Sequence, residues 1–237
     1  MQINMNPPQK NITFYFVRHG ETILNVLNRA QGWSDSVLTR QGEQNVRLTG
    51  RYLKDIPFST IYSSDSHRAT QTAKIILEEN LNSSNLHLNV DKRLREFCFG
   101  SYEGSNSTNM KKQVFKYQKK IYRQLENVFL TLEEFSNTIA ILDQMKNKED
   151  IIWPAENHKM IKNRLSSFLK ETTDQAVKKG NDKILIISHG LSIRALFNIF
   201  VQDVAIDYEL DNASVSIMNY NKGLFSLEKA NYISHIK

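Results

Sequence analysis

Two histidines in this 237-residue chain sit in matching local patterns. Arg18-His19-Gly20 ends the apolar run Ile12 to Val17, and Ser188-His189-Gly190 ends a run containing Ile184-Leu185-Ile186-Ile187. A strand-end histidine satisfied by backbone groups is the plain structural reading of either one. Two of them, each closing a buried strand and each followed by glycine, point to chemistry. An imidazole changes charge near neutral pH and can act as nucleophile or base. Glycine after each histidine would let the backbone approach a ligand closely. Arg18 and Arg68 add planar guanidinium forks that match phosphate oxygens. The alternative for Arg68 is an exposed helix arginine. A hydrolytic zinc site needs about three protein ligands, and two arginines beside it would repel the cation. Two arginines with two histidines suit an anion, so no metal ligand is assigned.

These residues meet only if the intervening elements bring them together. The strand Ile12–Val17 is followed by a polar loop to Val37 and a helix capped by Thr39 that runs to about Lys54. Phe58–Tyr62 reads as a second strand. The polar stretch Ser63-Ser64-Asp65-Ser66 then caps a helix with Ala69, Ala73, Ile76 and Leu77 on one face. Leu86, Leu88 and Val90 alternate as a third strand. Lys111 to about Lys146 reads as helical, with a basic face at its start and an apolar stripe from Val114 to Leu132. It interrupts the alternation and is read as an insertion at about 105–150 within one domain spanning 1–237. Pro154 and Glu156 open a further helix that ends at Gly180. Lys183–Ser188 is a buried strand, followed by a helix to about Val201. Val215–Tyr220 and Leu224–Leu227 close the chain as a hairpin.

Alternating strands and helices imply an α/β three-layer sandwich. Its central sheet is mostly parallel and covered by helices, with the insertion as a helical cap. Ligands of such sheets bind past the carboxyl ends of the strands. Arg18, His19, Arg68 and His189 would then converge on one edge.

Further residues fall in place around that edge. They are Arg18-His19-Gly20-Glu21-Thr22, Asn25, Gln31-Gly32-Trp33 with Asp35 and Leu38-Thr39, and Ser64-Asp65 with Arg68-Ala69 and Thr72-Ala73. Leu94-Arg95-Glu96 with Phe99-Gly100 and Glu103-Gly104, and Ser188-His189-Gly190, complete the set. In this order and spacing they resemble the histidine phosphatase, or phosphoglycerate mutase-like, superfamily, from about Ile12 to Phe200 without the insertion. Arg18 to Thr39 is most similar to its broad-specificity phosphatase branch. The resemblance implies hydrolysis of phosphomonoesters with His19 as nucleophile and a phosphohistidine intermediate, without cofactor or metal. Arg18, Arg68 and His189 would hold the phosphoryl oxygens, with Asn25, Gln31 and Gly32 also in the binding site. Glu96 would be the general acid and base, its carboxyl raised toward neutrality by Phe97 and Phe99. Where the family commonly has Gly-Glu, this chain has Ala155-Glu156.

Three other readings stand beside this one. Phosphoglycerate mutase shares the chemistry, but its acidic residue is typically followed by an Arg-His-Tyr-Gly-like run, where this chain has Phe97-Cys98-Phe99-Gly100. A binding protein that kept the fold and lost activity would be expected to lack one of the five reactive residues. Nucleic-acid binding through the basic insertion has no recognised module behind it. The net charge of +6 suits an anionic partner without naming one. The single cysteine, Cys98, fits a reducing compartment. The polar start Met1–Lys10 and the absence of a membrane-length apolar run lead to the expectation of a cytoplasmic protein with no signal peptide. Its expected partner is a small phosphorylated substrate, with neither nucleic acid nor membrane.

Overall fold

The computed structural model describes residues 11–121, 131–147, 153–180, 182–202, 204 and 206–236. The elements in chain order are β1 (Ile12–Arg18), α1 (Ile23–Val26), α2 (Arg40–Tyr52), β2 (Thr60–Ser63), α3 (His67–Glu79), β3 (Leu88–Val90), α4 (Ser107–Ile121), α5 (Leu132–Lys146), α6 (His158–Lys179), β4 (Lys183–Ser188), α7 (Gly190–Phe200), β5 (Val215–Asn221) and β6 (Leu224–Tyr232). The strands form one sheet in the order β3-β2-β4-β1-β5-β6. The first four in that order pair in parallel, and β5 and β6 join antiparallel. This is the expected α/β fold with a mostly parallel sheet.

Side chains alternate across the sheet, so each strand feeds two cores. Phe14, Phe16, Ile184 and Ile186 pack with α6 and α7 residues such as Leu165, Phe168 and Phe197. Val17, Ile61, Leu185 and Ile187 pack on the other face with Val46 of α2 and Ala69, Ala73 and Ile76 of α3. Both faces of β1 and β4 are therefore covered, which is why their runs read as continuously apolar. Thr39 caps α2 by accepting from Gly42 N at 2.9 Å, and Gly180 ends α6 at φ 69°. Among the described residues no helix is long and apolar enough to cross a membrane.

Several local expectations are corrected. The insertion is not one helix through Lys146: Thr131 is extended and starts α5 with a capping box to Glu134. The part of the apolar stripe from Leu125 to Val128 and the segment Met1–Lys10 lie outside the described residues. Ser66 precedes α3 without a side-chain cap. Asn157, not Pro154 or Glu156, caps α6 through Met160 N. β6 runs on to Tyr232, beyond Leu227.

Gly20 is a glycine for packing rather than for ligand approach. A Cβ there would stand 2.6 Å from Val46 Cγ2 and 3.1 Å from Gly42 O. The turn after β1 thus lies directly against α2. Gly20→Ala is expected to cost about 1–3 kcal/mol by overpacking, measured by urea denaturation, with Val46→Ala recovering part of the loss. An unchanged unfolding midpoint would mean that α2 yields at this contact.

Candidate active site

Parallel register sets the position of the two histidines. Arg18 lies opposite Ser188 in the β1–β4 ladder, and His19 N donates to Ser188 O at 3.0 Å. The next residue on each strand is therefore a histidine, and the two rings stand 5.2 Å apart at the carboxyl end of the sheet. Ala213 N donates to Arg18 O and His19 O, and Asn212 Nδ2 donates to His19 O at 3.0 Å. His19 Nδ1 lies 2.8 Å from Gly20 O. A carbonyl only accepts, so Nδ1 carries the hydrogen and the neutral ring keeps its lone pair on Nε2. Burial, then the charges of Arg68 and Arg18, push His19 well below the usual imidazole value. Burial and Arg68 do the same to His189. Both rings are neutral at pH 7.

The arginines divide their nitrogens between scaffold and site. Arg68 is fully buried and was expected to grip an anion with its fork. Its terminal nitrogens instead hold the loop of residues 31–35: Nη1 donates to Ser34 O and Asp35 Oδ1, and Nη2 donates to Gly32 O at 2.8 Å. Arg18 Nη1 donates to Leu210 O. Arg18 Nε, Arg68 Nε and His189 Nδ1 are all buried and have no partner among the described residues. An unmade hydrogen bond in the interior costs about 1–3 kcal/mol. All three belong to residues that act on His19 electrostatically or meet its ring, which suits an oxyanion. Arg18 lines the cleft at this edge, whereas Arg68 and His189 are fully buried and do not.

A cleft of about 720 Å³ opens over this edge, lined in part by Arg18, His19, Asn25, Gln31, Glu96 and Gly190. Glu96 is 7% exposed, but its carboxyl does not sit among apolar walls as expected. Oε1 accepts from Phe97 N, Ser192 N and the Ser192 hydroxyl, and Oε2 from Leu191 N at 3.0 Å. The carboxyl is thereby fixed at the N-terminus of α7. Arg93 pairs with Asp91 and Glu171, and Arg95 with Asp65, so neither of them binds Glu96.

Asn25 and Gln31 reach the cleft, each also bonded to Thr22. Gly32 does not line it. Its N–H donates to Glu103, its carbonyl accepts from Arg68, and a Cβ would stand 2.1 Å from Phe97 O. Gly32 is a packing position, because its backbone lies against the Glu96–Phe99 loop. His67 is exposed, and Cys98 is buried with its thiol pushed up to about 12. Among the described residues no group of three or more His, Cys, Asp or Glu is assembled that could hold a metal ion.

The residues that hold the site were harder to see in the sequence. Glu103 accepts from the N–H groups of Gly32, Trp33, Ser34 and Phe99, joining two loops. Glu156 pairs with Arg164 at 2.7 Å, and Arg164 donates to the carbonyls of Arg93, Arg95 and Glu96. Asn212 fastens the His19 turn.

A family model described as the histidine phosphatase superfamily (branch 1) matches residues 14–233. The chain belongs to this superfamily. It is 30% identical over 218 residues to 2,3-bisphosphoglycerate-dependent phosphoglycerate mutase 1 of Latilactobacillus sakei subsp. sakei, covering 90% of this chain and 91% of that protein. It is 44% identical over 96 residues to fructose-2,6-bisphosphatase TIGAR B of Danio rerio, covering 40% of this chain and 37% of that one. The crystal structure of phosphoglycerate mutase from Bacillus anthracis str. Sterne superposes with a TM-score of 0.83 at 31% identity, over 96% of both chains. The superfamily thus holds both mutases and phosphatases on the scaffold seen here.

The depressed histidines link stability to pH. Above about 6.5, the ordinary imidazole value, both folded and unfolded states are neutral at these positions and the stability is fully present. As pH falls below that value the unfolded chain takes up protons that the folded chain refuses. Stability is then lost toward the folded values at up to about 1.4 kcal/mol per pH unit for each histidine. His19→Gln should flatten this slope between about pH 6.5 and 5 in denaturant melts. Equal slopes in the variant and the parent would mean that His19 charges freely inside the fold.

Proposed function

We propose that the chain hydrolyses phosphomonoesters through a phosphohistidine on His19, transferring the phosphoryl group to water. The observation that carries this reading is the set of buried nitrogens without a partner among the described residues, Arg18 Nε, Arg68 Nε and His189 Nδ1, together with a neutral His19 whose lone pair is on Nε2. His189 Nδ1 is a donor in the tautomer whose Nε2 accepts from the Ser66 hydroxyl. In this mechanism the phosphoryl oxygens occupy those donors, which offset the charge that spreads over them in the transition state. His19 Nε2 attacks phosphorus in line, forming the P–N bond as the P–O bond to the leaving alcohol breaks. Glu96 serves as the general acid that passes a proton to that oxygen as it leaves. The resulting carboxylate takes a proton from water, whose oxygen attacks phosphorus. The P–N bond breaks, and inorganic phosphate leaves with His19 neutral again. The placement of Glu96 at the cleft supports its role, with Oε2 accepting one hydrogen bond from the described residues while Oε1 accepts three.

Transfer to a sugar acid, as in a phosphoglycerate mutase, is the second reading. The names of the relatives aligned over most of their length favour it. Phe97-Cys98-Phe99 after Glu96, where mutases typically carry an Arg-His-Tyr-like run, favours water as acceptor.

Rapid quenching with labelled phosphomonoester should trap acid-labile label on the protein, and His19→Ala should remove both label and turnover. Label on another residue would overturn the mechanism, and label delivered to phosphoglycerate in preference to water would favour the mutase. Glu96→Gln should slow alkyl phosphates at least about tenfold more than aryl phosphates, because aryl leaving groups depart with little protonation. Equal losses in kcat on the two classes would assign Glu96 to structure alone.

A further inference from the structure

The cleft reaches well beyond Arg18 and His19, and its further lining is of two chemical kinds. One kind is apolar: Phe99, Met110, Phe115, Leu132 and Phe135 all line it. Met110 and Phe115 come from α4 and Leu132 and Phe135 from α5, so the insertion supplies most of this wall. Phe99 and Phe135 meet edge to face with centroids 6.4 Å apart. Phe115 is 42% exposed, a large apolar side chain left open where the cleft can cover it. The lining is also acidic. Glu21, Asp207, Glu209 and Asp211 line the cleft beside Arg18 and Glu96. Glu209 and Asp211 are close enough to act electrostatically on the Arg18 guanidinium.

The remaining cations of the cleft are not arranged to receive an acid group. Apart from Arg18 and Glu96, which the chemistry uses, the described lining holds the four carboxylates just named against three bases, Arg29, Lys111 and Arg194. Lys111 is ion-paired with Glu209. Arg194 turns both Nε and Nη2 onto Ile206 O, at 3.0 and 2.8 Å. Arg29 Nη1 donates to Gly104 O at 3.4 Å. A second phosphate or a carboxylate on the leaving group would therefore meet more carboxylates than bases, with Lys111 already ion-paired and Arg29 and Arg194 turned onto backbone carbonyls. Like charges brought together in a cleft act against a ligand and so select among ligands. A ring or branched alkyl group would bury apolar surface against the aromatic wall.

We infer that the leaving group of the substrate is an uncharged alcohol with an apolar face of about ring size, and that the acidic lining excludes phosphoesters bearing a second acid group. This rests on the reading of the cleft as a phosphomonoester site and names the substrate class for it.

The test is a matched pair, benzyl phosphate and 4-carboxybenzyl phosphate, titrated by calorimetry into the folded His19→Ala variant, where binding is read without turnover. Wild-type turnover of both esters is followed in parallel. Benzyl phosphate should bind at least about tenfold more tightly than its carboxylated partner. Glu209→Gln should narrow that ratio, because it removes one acid and releases Lys111. Phe115→Ser should weaken benzyl phosphate about tenfold; its side chain is half-open, so the variant is expected to fold. Equal affinity for the two esters, or tighter binding of the carboxylated one, overturns the inference whether or not either is hydrolysed. The expected binding ratio without wild-type hydrolysis of either ester overturns the hydrolytic reading and leaves the substrate class standing. No binding of either ester overturns both.

Discussion

The in-register parallel pairing of β1 with β4 is the constraint on which the site depends. Thr13 to Arg18 match Lys183 to Ser188 one for one, so the residues after the two strand ends, His19 and His189, emerge side by side. A one-residue slip would turn Phe14 and Phe16 out of one core and Val17 out of the other. Both faces of these strands are buried, so such a slip would expose or invert two apolar layers at once. The packing that stabilises the sheet therefore also places the reactive pair, and Asn212 and Ala213 fasten the His19 turn.

Around that pair the protein keeps polar groups unsatisfied and arranges its counter-charges outside the oxyanion position. Asp35 neutralises Arg68 from the loop side, leaving Nε unpaired. Glu156 is paired to Arg164, whose remaining nitrogens fix the carbonyls leading into Glu96. Glu103 gathers four backbone donors from two loops. Each carboxylate stabilises a segment that carries a site residue, and none of these three lines the cleft. Burial, and after it chiefly the charge of Arg68, lowers both imidazoles and keeps the two rings neutral. The same arrangement serves a nucleophile that needs its lone pair and an anion that needs donors.

The sheet and the reactive residues were legible because they follow short rules. Ile184 to Ile187 reads as a strand buried on both faces, and a histidine just past such a strand must lie at the sheet edge. The insertion was half legible. Its apolar spacing marks helices, but the break at Thr131 is a capping box, a pattern present in Thr131-Leu132-Glu133-Glu134 and hidden by the continuity of the stripe. Gly32 and the fork of Arg68 were assigned to ligand because both belong to the motif. In the fold Gly32 N–H meets the Glu103 carboxylate, and the fork of Arg68 meets Gly32 O, Ser34 O and Asp35 Oδ1, partners that only the folded chain brings together. The Glu156–Arg164 pair lies eight residues apart, so helix spacing gives no hint that it clamps the Glu96 segment.

The central claim is that Arg18 Nε, Arg68 Nε and His189 Nδ1 form one oxyanion site around His19 Nε2. A crystal structure with orthovanadate, which takes the five-coordinate geometry of phosphoryl transfer, tests it most directly. The account predicts vanadium bonded to His19 Nε2, with its oxygens within about 2.7–2.9 Å of the arginine donors and hydrogen-bonded to His189 Nδ1. Vanadate held through another side chain, or bound in the cleft with those three atoms still unpartnered, would contradict it.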